Sequence, residues 1–158
     1  MKKIDPLNQV AEFHRTFKHP IEAKPLIPAS DRCQLRVALL EEELKEFKKA
    51  IEDQDLVEVA DALCDLQYVL SGAILEFGLG EQFPDLFDEV QRSNMSKTCK
   101  SMEEAEATQK YYLEERGFES TIEKAGNHFL VYRIPDRKTL KSVAYSPADL
   151  KPIINASK

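Results

Sequence analysis

The chain of 158 residues is 42% hydrophobic and 32% charged, which suits one compact fold with a sizeable core and excludes a disordered tail, a collagen or a mucin. Its 28 acidic residues against 22 basic ones leave a formal net charge of −6, so a general nucleic-acid or membrane-surface binder is not expected. No apolar run approaches the roughly 18 residues that a membrane span needs, and MKKIDPLNQ turns polar before a signal-type apolar segment could form, so a cytoplasmic location is expected. Cys33, Cys64 and Cys99 are an odd number without CxxC spacing and are expected to stay reduced.

In chain order, Pro6 to Lys18 predicts a short first helix with Val10, Phe13 and Phe17 inward. After the Pro-rich HPIEAKPLIP, Ser30 and Asp31 offer N-cap chemistry to a second helix over about residues 31 to 53. Asp53 or Asp55 caps a third, which runs through Leu56, Val59, Leu63, Leu66, Leu70, Ile74 and Phe77 and stops at Gly78 and Gly80. The short connection makes these two antiparallel. Pro84 to Arg92 and Met102 to Arg116 predict two more helices. TIEKAGNHFLVYRI then changes character: a Gly-Asn turn joins two segments rich in β-branched and aromatic residues, which predicts a β-hairpin over 119 to 134. SVAYSPADL is expected to add a short strand and LKPIINASK to be loosely ordered. The expected fold is mainly α, an antiparallel helical bundle over 1–117 with a small C-terminal β-hairpin appendage over 118–158 packed on the same domain.

The second and third helices carry acids where a core is expected. On a helical wheel Glu43 and Glu46 fall within about 60° of the centre of the apolar stripe, with Glu42 at its margin. Buried carboxylates are costly unless a cation or a dense set of hydrogen bonds meets them. Arg36, on the same stripe, offers one ion pair and cannot neutralise so many acids. On the third helix Glu58, Asp61 and Asp65 stack on one face over two turns. From Ala50 to Gln91 the chain holds eleven acids and no Lys, Arg or His, so local ion pairs cannot relieve them. Two antiparallel helices thus present an all-oxygen set suited to a hard divalent cation, Mg²⁺ or in its place Mn²⁺, and no Glu-x-x-His offers a zinc or di-iron alternative. Magnesium binds proteins mostly through substrate phosphates, so a phosphorylated ligand is expected.

Glu42-Glu43-Leu-Lys-Glu46 followed by Glu58-Val-Ala-Asp61 resembles the EExxE and ExxD signature of the all-α nucleoside triphosphate pyrophosphohydrolases, the superfamily of MazG, dimeric dUTPase and phosphoribosyl-ATP pyrophosphohydrolase. ADALCDLQYVLSGAILEFG, with Asp65, Tyr68 and Gly72, and the later RSNMSK, Arg92 to Lys97, resemble the phosphoribosyl-ATP pyrophosphohydrolase-like branch; the resemblance spans roughly residues 7 to 115. The histidine-biosynthesis enzyme itself fits less well, since a helix histidine expected near its second motif is absent here. The resemblance implies cleavage of a nucleoside triphosphate between the α and β phosphates. Glu43, Glu46, Glu58 and Asp61 would hold Mg²⁺, and Glu42 or Glu46 would act as general base toward the attacking water. Arg92 and Lys97, flanking Asn94, are candidates for meeting the charge of the leaving pyrophosphate, with Lys100 a weaker one. Asp65 and Asn94 are alternatives for reading sugar or base, and Tyr68 or Phe17 for stacking on it. The resemblance also implies a homodimer or homotetramer, which a thin bundle with broad apolar stripes would welcome. Two functions stay open: a Mg²⁺-dependent pyrophosphohydrolase acting on a deoxy or non-standard nucleotide, and a non-catalytic nucleotide-binding or assembly module that keeps the acidic cleft.

Overall fold

The computed structural model describes residues 4–156. Among the described residues the order is α1 (Pro6–Phe17), α2 (Ser30–Glu52), α3 (Leu56–Glu76), α4 (Phe83–Met95), α5 (Met102–Arg116), β1 (Ser120–Ala125), β2 (His128–Arg133) and α6 (Lys151–Asn155). The fold is mainly α with a two-stranded antiparallel hairpin, as the sequence predicts. The chain divides into two compact units: residues through Phe83 together with the segment from Ile153, and Pro84–Pro152.

In the first unit α3 packs against both α1 and α2. Asp5 caps α1 by accepting from Asn8 N, and Lys18 ends the helix in the left-handed region. The capping of α2 differs from expectation: Ala29 is the N-cap and makes no side-chain bond, while Ser30 and Asp31 lie inside the first turn, where Asp31 still favours the helix dipole. Between α2 and α3, Gln54 takes a positive φ and Asp55, rather than Asp53, caps α3 by accepting from Val57 N and Glu58 N. The Pro-rich segment closes the far end of α3. Glu22 N donates to Leu75 O and Leu26 N to Phe77 O, satisfying carbonyls that a helix C-terminus leaves open. Val10 is buried as expected, but Phe13 is partly exposed and Phe17 largely so: the two rings meet each other at a tilt at the end of α1, and Phe13 reaches Tyr68 of α3 edge-on.

In the second unit Ser101 caps α5 by accepting from Glu104 N. β1 and β2 pair from Ser120↔Arg133 to Ala125↔His128, so Gly126 and Asn127 form the two-residue turn that their types predict. Cys99 exchanges two backbone hydrogen bonds with Phe129, and Cys99, Ala105, Val131 and Leu140 form a core bordered by Tyr112, Phe118, Ile122 and Phe129. Two expectations fail at the C-terminal end. SVAYSPADL forms no strand: Ser142 N donates to Lys97 O, Ser142 Oγ to Glu104, and Ser146 N to Ser96 Oγ, so its polar groups are tied to helix ends and a loop instead of to a strand ladder. LKPIINASK includes a helix, α6, with Pro152 in its first turn where a missing N–H costs nothing.

Candidate functional site

Six acids lie on α2 and α3, and the burial that the apolar stripe predicts is met in part at Glu43 and not at Glu46, which is exposed. Glu43 and Asp65 are half-buried, whereas Glu42, Glu46, Glu58 and Asp61 are exposed. Desolvation raises the Glu43 pKa first, and the charges of Asp65, Glu46, Glu42 and Asp61 push it in the same direction. The packing of the two helices therefore brings five of the six into one negative field, with Glu58 a turn nearer the start of α3 on the same helix. Among the described residues none of the six forms an ion pair, although Lys48 and Lys49 pair with Glu52 and Asp53 at the end of α2. Arg36 does not relieve Glu43. It is bonded to Glu76.

As a donor set these groups suit a hard cation: all are carboxylates, they lie on two rigid helices, and their mutual repulsion is what a divalent ion would remove. Among the described residues no three of His, Cys, Asp and Glu converge closely enough to chelate an ion by themselves.

The remaining predicted residues are placed as follows. Tyr68, one turn beyond Asp65, is partly exposed and meets Phe13 edge-on with centroids 5.6 Å apart. In the second unit, α4 runs three residues past the predicted end at Arg92 and so carries Asn94. Arg92 is held by both oxygens of Glu89, at 2.6 and 2.8 Å, and by Pro147 O at 3.0 Å. The bonds from Arg92, followed by the one that Glu89 accepts from Asp149 N, lower the Glu89 pKa to about 2. Lys97 Nζ donates to Asn94 Oδ1 at 2.7 Å, and neither forms an ion pair among the described residues. Lys100 offers its backbone N–H to Glu104.

A charged cluster in the first unit escapes the sequence reading. Glu76, only 1% exposed in the last turn of α3, accepts from Arg32 Nε at 2.5 Å and from Arg36 Nε. Burial raises its pKa, but the two guanidinium bonds outweigh that and hold it below the usual carboxylate range. His14, also buried, accepts from Arg36 Nη2 at 3.3 Å through Nε2 and donates from Nδ1 to Pro20 O at 2.8 Å. Desolvation leads the lowering of its pKa, consistent with the neutral ring that this pattern needs. The signal was present: Glu76 is an acid in the last turn of an apolar helix, where the macrodipole is unfavourable to it, and Arg32 and Arg36 are four apart on one face.

Comparison with known proteins fits this arrangement. The chain is 23% identical to a protein described as Uncharacterized protein L479 of Acanthamoeba polyphaga mimivirus, in an alignment covering 89% of this chain and 92% of that protein. The phosphoribosyl-ATP pyrophosphohydrolase family profile matches residues 10–94, a stretch that contains α2, α3 and all six acids. With more than half of its length matched in this way, the chain belongs to the phosphoribosyl-ATP pyrophosphohydrolase family, within the MazG-like all-α nucleoside triphosphate pyrophosphohydrolases.

Proposed function

We propose that this protein is a cytoplasmic, Mg²⁺-dependent nucleotide pyrophosphohydrolase that cleaves a nucleoside triphosphate, a deoxy or non-standard one included, between the α and β phosphates. The observation that carries the reading is the unrelieved negative field around Glu43, built from both helices and free of ion pairs among the described residues. Glu43, Glu46, Glu58 and Asp61 would hold the ion, with Mn²⁺ as a substitute. When bound, Mg²⁺ supplies neutralising charge to the phosphate oxygens.

The chain's own groups do the rest. Glu42 or Glu46, both exposed on α2, accepts a proton from the attacking water as the water oxygen bonds to the α-phosphorus. The bond from that phosphorus to the bridging oxygen breaks, and pyrophosphate leaves with the electron pair. Arg92, Asn94 and Lys97 are proposed to meet the substrate's phosphates or sugar; to do so Arg92 would give up part of its hold on Glu89, and Lys97 its bond to Asn94. Asp65 would orient the sugar, and Tyr68 would border the base.

The test is release of pyrophosphate from a panel of ribo- and deoxynucleoside triphosphates with Mg²⁺ or Mn²⁺, beside Glu43→Ala and an EDTA control. Monophosphate and pyrophosphate from one or a few nucleotides are expected, with activity falling at least roughly a hundredfold in the variant and in EDTA. If folded protein cleaves no nucleotide with either ion, the reading fails and the acidic face is that of a binding module.

A further inference from the structure

The buried histidine of α1 is held in a way that leaves no place for a second proton. His14 Nδ1 faces Pro20 O at 2.8 Å, and a carbonyl only accepts, so this nitrogen carries the ring proton. Nε2 is then the bare nitrogen, and it accepts from Arg36 Nη2 at 3.3 Å. A proton on Nε2 would set donor against donor, since a guanidinium keeps its own protons.

The neighbours have no room to yield. Arg36 is tied through Nε to Glu76, and Gly72 leaves it only the space it uses: a Cβ there would stand 2.7 Å from Arg36 Nη1 and 3.1 Å from His14 Nε2. Among the described residues Glu76 of α3 is the carboxylate that acts on the ring, and its two oxygens are already taken by Arg32 and Arg36 of α2. The other titratable group beside it is His19, in the loop after α1, with ring centroids 5.4 Å apart; a proton taken up there adds positive charge as well. A protonated His14 would be a third cation around one anion, at a position only 3% exposed. The ring is the part that can move. It lies in the wall of a cavity of about 380 Å³, and the buried apolar residues of α1 are only Val10 and Ala11, set against Leu75 of α3. A helix with so small an apolar footing opens at low cost.

We propose that His14 is an acid-sensitive latch: its protonation releases α1 from α2 and α3, opening the cavity and uncovering Leu75 and Tyr68. The inference goes beyond the proposed reaction and does not depend on it. Burial leads the lowering of the ring's pKa from the ordinary 6.5 while α1 is in place, whereas the ring of a released α1 titrates near that ordinary value. Attachment therefore has full strength above about pH 6.5 and weakens by up to roughly tenfold for each pH unit below it. Glu76 stays out of this window, because its two guanidinium partners hold it below the usual 4.5.

Amide hydrogen exchange tests this, read as protection relative to the unstructured chain at each pH. Between about pH 7.5 and about pH 5 the protection of α1 is expected to fall roughly tenfold or more, while that of the middle of α3 holds. His14→Gln, which offers one donor and one acceptor but gains no proton, should abolish the fall, and His19→Gln should leave it. Equal protection of wild-type α1 at both pH values overturns the proposal, as does a loss in α3 in step with α1, or a fall that persists in folded His14→Gln. If His14→Gln does not fold, His19→Gln decides, and a fall that vanishes with His19 overturns the proposal. Nitrogen-15 spectra of the wild-type imidazoles give a further reading: His14 is expected to stay a neutral Nδ1–H ring as long as α1 is protected, and a His14 that takes up its proton with α1 still protected overturns the latch.

Discussion

Glu76 and Glu43 are acids on adjacent helices in opposite electrostatic situations. Glu76 is fully buried with two guanidinium partners and titrates below its ordinary range, whereas Glu43 is half-buried among anions and titrates above it. For a carboxylate depressed in the folded state, stability is present above the unfolded value of about 4.5 and is lost as pH falls through the folded pKa. Glu76→Gln should therefore cost about 3–5 kcal/mol at neutral pH, since it leaves Arg36 buried without its counter-charge. Urea denaturation followed by circular dichroism checks this, and the gap to the wild type should narrow in buffers well below pH 4.5. An equal gap at both pH values would show that Glu76 acts by shape instead of charge. The acids of α2 and α3 were legible as a set in the sequence because helical spacing alone puts them on a face. That Arg36 belongs to Glu76 and not to Glu43 was not legible, because Glu43 shares the stripe of Arg36 on α2 whereas Glu76 stands forty residues away on α3 and meets it only once the two helices pack.

At the scale of elements, sequence reading succeeded where local chemistry suffices. Asp55 caps α3, Gly126-Asn127 turns the hairpin, and Gly117, in the left-handed region, ends α5. It failed at the N-cap of α2 and at α6, and again where the partner is distant. SVAYSPADL has strand-forming residues but finds side-chain and loop partners, and Phe17 has the spacing of a core residue but projects beyond the surface that α3 offers. Gly78 shows how one residue joins two elements. Its φ is +68°, and a Cβ would lie 1.9 Å from Lys24 O, the backbone of the segment that closes α3. Gly78→Ala is expected to destabilise by at least about 1–2 kcal/mol, from the left-handed conformation and the displaced segment together. In urea the midpoint should fall with the slope unchanged; a midpoint equal to that of the wild type would mean that the segment moves away at no cost.

At the scale of the whole molecule, the first unit leaves much apolar surface open. Leu44 and Ile51 on α2 are more than half exposed, and Leu56 and Val57 at the start of α3 are 78% and 75% exposed. A cavity beside Leu44, Phe47 and Ile51 carries both signs of charge on its rim, Glu41 and Glu52 against Lys45 and Lys48. Such a patch can meet its own copy across a two-fold axis, apolar centre on apolar centre and acid against base. We propose that it is an interface between copies of this chain. Light scattering after gel filtration should give a mass of two or four chains, falling toward one chain of 18.1 kDa in Ile51→Glu. A wild type that runs as a single chain at micromolar concentration overturns it. No helix among the described residues is long and apolar enough to cross a membrane.

What the sequence by itself determined is what depends on neighbours along the chain: five of the helices, the hairpin and its turn, and the two acidic motifs that lie within the stretch the family profile matches. Periodicity and capping report these because each is settled within a few residues, by backbone geometry and side-chain spacing. What only the tertiary structure decided is how charges and cavities are shared between elements: Arg32 and Arg36 committed to Glu76, His14 held neutral between Arg36 and Pro20, and a cavity bordered by Phe13, His19 and Tyr68. These depend on which helix faces meet, and the packing of α1, α2 and α3 selects one pairing from several that the same sequence pattern allows.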